Sequence, residues 1–375
     1  MKFYWCTTRH FSGDLCVTTQ VAIINQLLKA GHEVIVLGPD APTEAYSWTH
    51  VQLDQSSVKG RKASTLAKNI RNHLKGIDLS HCVLLIDWAL VRPLSSLAET
   101  CGARWICIDR SPPADANLFA KMQQRVWKKA WKLVASSLRH NGACIGGTVV
   151  SLAHKALIKN QFSINDNHLC IVHAGVDNQL FQPTNRANLE PPINMVYHGK
   201  IDRHRGILKL ILLLDALEDN GIEAELNLIG SGDLDSHLTN LANSKPNLHV
   251  HGSVHHSRIP TMLRGCDIGL LPMPNLPVWT ISSPLKRSEY ISSGLLVLGI
   301  DHSGHHLPIK NEDAEWYQLF DQQTFVDDTV QQIQQWIDDG DFRTLSQQAR
   351  TYAETNLAWS KTIQPLVDFV EIVEE

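Results

Sequence analysis

Residues 195–230, MVYHGKIDRHRGILKLILLLDALEDNGIEAELNLIG, decide the fold. An apolar run ends at Gly199 and a loop follows that carries Lys200 and Arg205. An apolar, helical pattern over 206–221 then stops at Gly221, and a second apolar run closes at Gly230. The switch from strand pattern to helix pattern and back predicts a β-α-β unit. Downstream the alternation continues through a helix from about Leu234, a strand LHVHG (248–252), a short helix SRIPTMLRGC (257–266) and a strand DIGLLP (267–272). A helix over SPLKRSEYISSG (283–294) then leads into LLVLG (295–299).

The same rhythm precedes it. KFYWCTT (2–8), VTTQVAIINQLLKAG (17–31) and HEVIVLG (32–38) read as strand, amphipathic helix and strand. HCVLLID (81–87), ARWICID (103–109), GACIGG (142–147) and HLCIVHAG (168–175) follow as short apolar runs ended by Asp or Gly. Near-continuous apolar strands alternating with helices imply parallel sheets covered on both faces, so the expected class is α/β with two doubly wound domains. The Pro- and Asn-rich stretch 181–194, FQPTNRANLEPPIN, is read as a linker. The expected division is a first domain over 1–180, that linker, a second domain over 195–355, and a C-terminal helix over 356–375 that crosses back to the first domain. Ligands of such sheets sit beyond the carboxyl ends of the strands.

A chain of 375 residues is long for one core and comfortable for two. With 43% hydrophobic and 19% charged residues it reads as soluble. No apolar stretch reaches the roughly 20 residues of a membrane helix, and the start MKFYWCTTRH lacks the order of a secretion signal, so a cytoplasmic location is expected. Eight cysteines without metal or disulfide spacing are read as packing residues, and the HSGHH segment (302–306) as a solvated loop rather than a metal site. The net charge of −4 hides an asymmetry: to residue 180 there are 20 Lys and Arg against 12 Asp and Glu, and beyond it 14 against 26. The first half therefore meets something anionic. No zinc finger, RNP-like motif or helix-turn-helix is found, so nucleic acid gives way to anionic lipid or a phosphorylated acceptor.

Three segments of the second half suit a nucleotide. Lys200 and Arg205, in the loop after Gly199, suit a diphosphate, because two cations and helix amides act on one anion. LIGSGDL (228–234) sets Gly230 and Gly232 in a tight turn before a helix, short of a full dinucleotide fingerprint. In SSPLKRSEYISSG, Ser283 is expected to cap a helix, with Pro284 in its first turn. Lys286 and Glu289 then share a face, either as a surface ion pair or with the ammonium on phosphate and the carboxylate on the two ribose hydroxyls.

These segments, with HAGVDNQLFQP (173–183) and HVHGSVHHSRIPTMLRGCDIGLLP (249–272), occur in the order seen in group 1 glycosyltransferases of the GT-B fold, which the chain resembles. The resemblance is specific from His173 to Gly299 and points to a family 4-like, retaining enzyme that uses a nucleotide sugar such as a UDP- or GDP-sugar. It implies no other cofactor and no metal. It assigns Lys200 and Arg205 to the diphosphate, Glu289 to the ribose, Lys286 to a P-x-K-x-x-E donor pattern, and the backbone of the loop GSVHHSRIP (252–260), which includes Val254, to the base. The first glutamate of the family's E-x7-E motif is absent, because Ile281 stands eight residues before Glu289. Retaining transfer is expected to proceed by front-face attack, with the leaving diphosphate taking the acceptor's proton.

In the first domain, Gly13 after strand one is read as a close approach to the donor or as a plain turn. Asp109 is read as a base, a sugar-hydroxyl ligand or a loop cap, with Arg110 beside it facing the acceptor. Residues 118–140, LFAKMQQRVWKKAWKLVASSLRH, form an amphipathic pattern with Trp127 and Trp131 bordering the apolar face. Lys121, Arg125, Lys128, Lys129 and Lys132 lie on the other, and no acidic residue falls between Asp115 and Asp166. Such a helix either packs on the core with a solvated basic back or lies on an anionic membrane. The expected function is hexose transfer to a lipid-linked or polysaccharide acceptor at the inner face of the membrane. The alternatives are a GT-B nucleotide-sugar epimerase and a binding protein that has lost catalysis.

Overall fold

The computed structural model describes residues 1–11, 17–41, 46–58, 60–110, 112–113, 118–184 and 186–371, with backbone alone at 118–120. The chain forms two compact units, Met1–His173 with Thr362–Glu375, and Ala174–Lys361.

The first unit contains β1 (Lys2–Cys6), α1 (Val17–Lys29), β2 (Glu33–Gly38), β3 (Thr49–Gln52), α2 (Lys62–Leu74) and β4 (Cys82–Asp87). It continues with α3 (Trp88–Thr100), β5 (Arg104–Ile108), α4 (Leu118–Arg139), β6 (Cys144–Val149), α5 (Leu152–Phe162) and β7 (Leu169–Ile171). Its seven strands lie in the order β3-β2-β1-β4-β5-β6-β7, and every pair is parallel. All of β4 and β6 is buried, which is why both read as unbroken apolar runs.

The second unit contains β8 (Ile193–His198), α6 (Ile207–Asp219), β9 (Ala224–Ile229), α7 (Asp235–Ala242), β10 (Leu248–Gly252), α8 (Ile259–Leu263) and β11 (Ile268–Leu271). After them come α9 (Pro277–Thr280), α10 (Leu285–Ser292), β12 (Leu296–Ile300), β13 (Tyr317–Phe320), α11 (Phe325–Asp339) and α12 (Phe342–Tyr352). The short α13 (Trp359–Thr362) ends this unit, and α14 (Gln364–Glu371) packs on β7 and α1 of the first. Six parallel strands lie in the order β10-β9-β8-β11-β12-β13. Both units are thus doubly wound parallel sheets, the expected fold class.

The expected linker is part of the second unit instead. Phe181, Leu189 and Ile193 are buried in its core, and Ser292 Oγ donates to the Phe181 carbonyl at 3.0 Å. Arg350 of α12 also donates to the carbonyls of Phe181, Asn178 and Ser292. The HSGHH loop departs from expectation in the same direction. His302 and His305 are buried, each bonded through a ring nitrogen to a backbone carbonyl, those of Met273 and Ile300. The seven cysteines that the structure describes are free thiols, six of them buried, and Cys16 lies outside the described residues. Among the described residues no helix is long and apolar enough to cross a membrane.

Candidate functional site

The strand order of the second sheet reverses between β8 and β11, and the loops after these strands hold the polar residues. β8 ends at the buried His198, and Gly199 turns the chain with φ +128°. Gly230, at the end of β9, has φ +142°, and a Cβ there would overlap the Gly199 carbonyl oxygen. Only glycine lets these two loops touch. Further bonds stitch them together: Ile201 N–H to the Ser231 carbonyl at 3.0 Å, Arg203 N–H to Asp233 Oδ1 at 2.8 Å, and Asp233 N–H to Asp202 Oδ1 at 3.2 Å. Gly232 lies against Ile201 in the same junction. A one-turn helix, Arg203–Arg205, then carries Arg205 to the start of α6, while Lys200 stands exposed before it.

Every residue of α10 from Lys286 to Ser292 is buried, so Lys286 and Glu289 do not form the surface pair that their spacing permits. Lys286 Nζ lies 3.8 Å from the centroid of the Tyr197 ring and has no hydrogen-bond partner. Burial, and then the charge of Arg205, lower its pKa well below the ordinary lysine value, against the pull of Glu289. The same ammonium approaches Gly199, where a Cβ would sit 3.0 Å from it. Tyr197 donates to the Lys200 carbonyl at 2.9 Å, and burial raises its pKa to about 12 despite the facing Arg205. Gly199, Arg205 and Lys286 therefore surround one tyrosine.

Glu289 lies between two histidines. His256 Nε2 is 2.7 Å from Oε1, and His198 Nε2 is 2.9 Å from Oε2. Burial alone would raise the carboxyl, but His198 and then His256 outweigh it and hold the pKa at about 2. Burial keeps His198 below its ordinary value, whereas for His256 the bond to Glu289 overcomes burial and raises it. The site thus holds an ionised carboxylate, a lysine lacking an acceptor, and an arginine.

Neither histidine, nor Tyr197, is found by spacing arguments. The available signal was a histidine closing the strand before a glycine, and another in the loop following β10. The expected cap at Ser283 is also corrected. Pro284 occupies the N-cap, and Ser283 Oγ instead accepts from Ala174 N–H at 3.0 Å and from Arg287 at 3.2 Å. Val254 is partly buried against the core of the unit.

In the first unit Asp109 is fully buried. Its Oδ2 accepts from Trp127 Nε1 at 2.5 Å and Trp131 Nε1 at 2.8 Å, with His154 Nε2 3.5 Å away. Fully buried and with Oδ2 taken by two indole donors, Asp109 fits the role of an anchor for α4 rather than that of a base. α4 thus packs on the core, one of its two expected alternatives, with Trp127 and Trp131 inside the core rather than at its border. Lys121, Arg125, Lys128, Lys129 and Lys132 are exposed, as is Met122, and Arg110 is half-buried. Gly13 and Asp115 lie outside the described residues.

Residues 192–339 match the model of the family "Glycosyl transferases group 1". The fold is GT-B. Sucrose-phosphate synthase from Thermosynechococcus elongatus superposes with a TM-score of 0.77 at 14% identity, covering 99% of this chain and 98% of that one. WaaG, a glycosyltransferase involved in lipopolysaccharide biosynthesis, gives 0.67 at 14% identity, with 96% and 98% covered. HepE from Anabaena, solved in complex with UDP, gives 0.70 at 11% identity, with 99% and 100% covered. No curated protein sequence matches the chain. Family model and architecture together support a glycosyltransferase of the group 1 type.

Proposed function

We propose that the protein transfers a hexose from a nucleoside diphosphate sugar to a lipid-linked or polysaccharide acceptor, with retention and without a metal. The observation that carries this reading is Lys286: an ammonium with its nitrogen buried, no acceptor, and Arg205 and Glu289 as its charged neighbours. A diphosphate supplies the missing acceptor. HepE, which shares the fold, has been solved with UDP-glucose, in keeping with such a donor.

In this reading Lys200, Arg205 and Lys286 offset the charge that grows on the leaving diphosphate, each contributing on the order of 2–4 kcal/mol, the scale of one oxyanion-hole donor. Glu289 accepts the ribose hydroxyls and Ser283 fixes the entry to α10. The loops at Gly199, Gly230, Gly232 and Val254 line the nucleotide. The acceptor hydroxyl attacks on the face from which the diphosphate departs and passes its proton to the departing phosphate oxygen. The basic face of α4 rests on anionic lipid at the cytoplasmic surface.

The test is a titration of UDP, GDP and their sugars by calorimetry against the wild type and against Arg205→Ala, Lys286→Met and Glu289→Ala, followed by turnover of labelled donors with and without acceptor. Binding in the wild type and a weakened but measurable binding in all three variants supports the site. Unchanged binding in all three removes it, and conversion of the donor without acceptor identifies an epimerase.

A further inference from the structure

Arg205 is held by a residue that none of the motifs contains. The arginine emerges from the one-turn helix Arg203–Arg205, whose closing Gly206 is pressed against the Pro272 carbonyl just past β11. Tyr197 faces its guanidinium on one side. Asp202 Oδ2 is 3.7 Å from Nε, beyond hydrogen-bond reach, and Nε is buried without a partner. The guanidinium carbon instead lies 4.6 Å from the centroid of the Trp279 ring, and the ring of the neighbouring His204 is stacked on the same indole at 5.9 Å and 11°.

Trp279 is itself fixed. It is 6% exposed, in α9, which Pro277 opens. Its amide bonds the Leu276 carbonyl at 2.8 Å, and its carbonyl accepts from Ser282 Oγ at 2.7 Å. The next residue, Thr280, accepts from Ser303 Oγ at 2.7 Å, and Gly304 packs so closely that a Cβ would overlap the Trp279 carbonyl. A flexible cation has thus been laid on a rigid aromatic face.

We propose that Trp279 is the positioning residue that holds the Arg205 guanidinium in place for the donor diphosphate. The inference rests on the donor reading above. An arginine left to sample its rotamers loses entropy when it meets phosphate, whereas one already held on an indole, where cation–π attraction acts in a desolvated setting, does not. The same contact leaves the N–H groups on the guanidinium edge free for charge-assisted bonds to phosphate oxygens.

The experiment is a double-mutant cycle read by calorimetric binding of UDP and of GDP to the full chain, with uridine and guanosine as controls lacking phosphate. Trp279→Leu is expected to weaken diphosphate binding about tenfold and nucleoside binding not at all. Trp279→Phe, which retains a smaller face, loses about two- to threefold. In the Arg205→Ala background both substitutions have no further effect. Equal losses in both backgrounds, or equal losses for nucleoside and diphosphate, overturn the role of Trp279 while leaving the donor site intact. Should Trp279→Leu fail to fold, the cycle with Trp279→Phe decides the question alone. A wild type that binds neither diphosphate overturns the donor reading and this inference with it.

Discussion

Glu289 Oε2 and His198 Nε2 lie 2.9 Å apart, buried, and not aligned for a hydrogen bond. On the other side of the carboxylate, His256 makes an aligned bond at 2.7 Å from a loop whose imidazole is one-third exposed. One oxygen is therefore bonded and the other merely approached, which leaves the carboxylate with unused acceptor capacity.

Stability is expected to follow this triad across pH. Glu289 is held at about 2, so its contribution is complete above the ordinary carboxyl pKa near 4.5 and disappears as pH falls toward 2. His256 is raised, so its contribution is complete below the ordinary histidine value and is lost as pH climbs through the raised one. Urea midpoints of wild type and Glu289→Gln should converge on acidification from pH 5 to 3. Parallel curves over that interval would contradict the ionised Glu289 carboxylate.

Lys286 begins with a depressed pKa, and a bound anion raises it. Binding of a nucleoside diphosphate should therefore take up protons, more so as pH rises from 7 to 9. Calorimetry in buffers of different ionisation enthalpy measures this directly. The uptake should disappear in Lys286→Met, and an unchanged uptake there would exclude Lys286 as its source.

Asp109→Asn should lower the stability of the first unit by about 1–3 kcal/mol, since the two indole N–H groups that converge on Oδ2 then meet an amide in its place. Turnover per folded molecule should stay within about twofold, the burial of this carboxylate being complete. A fall of a thousandfold in a well-folded variant would restore Asp109 as a base.

The exposed cations of α4 should bind vesicles containing anionic phosphatidylglycerol, with release by salt. Lys128→Glu with Lys129→Glu should abolish sedimentation with those vesicles and leave nucleotide binding unchanged. Sedimentation that ignores both lipid charge and these substitutions would remove the membrane contact.

The sequence by itself determined the two parallel sheets. Strands buried on both faces must be apolar throughout, so β4 and β6 were legible without partners, and the helices between them show the complementary period. It also marked the loop junction expected to hold a nucleotide, where Gly199 and Gly230 touch and a side chain would not fit. It did not determine which charges face solvent. Lys286 and Glu289 read equally well as an exposed pair, and only packing against Tyr197, His198 and His256 makes one an unpartnered ammonium and the other a strong acid. Asp109, Trp127 and Trp131 are separated by up to 22 residues, so no spacing could announce that the carboxylate belongs to the indoles. Trp279 and Arg205 are more distant still. Local pattern reports a residue's secondary structure, while its ionisation and partners depend on groups that only the tertiary fold brings within a few ångströms.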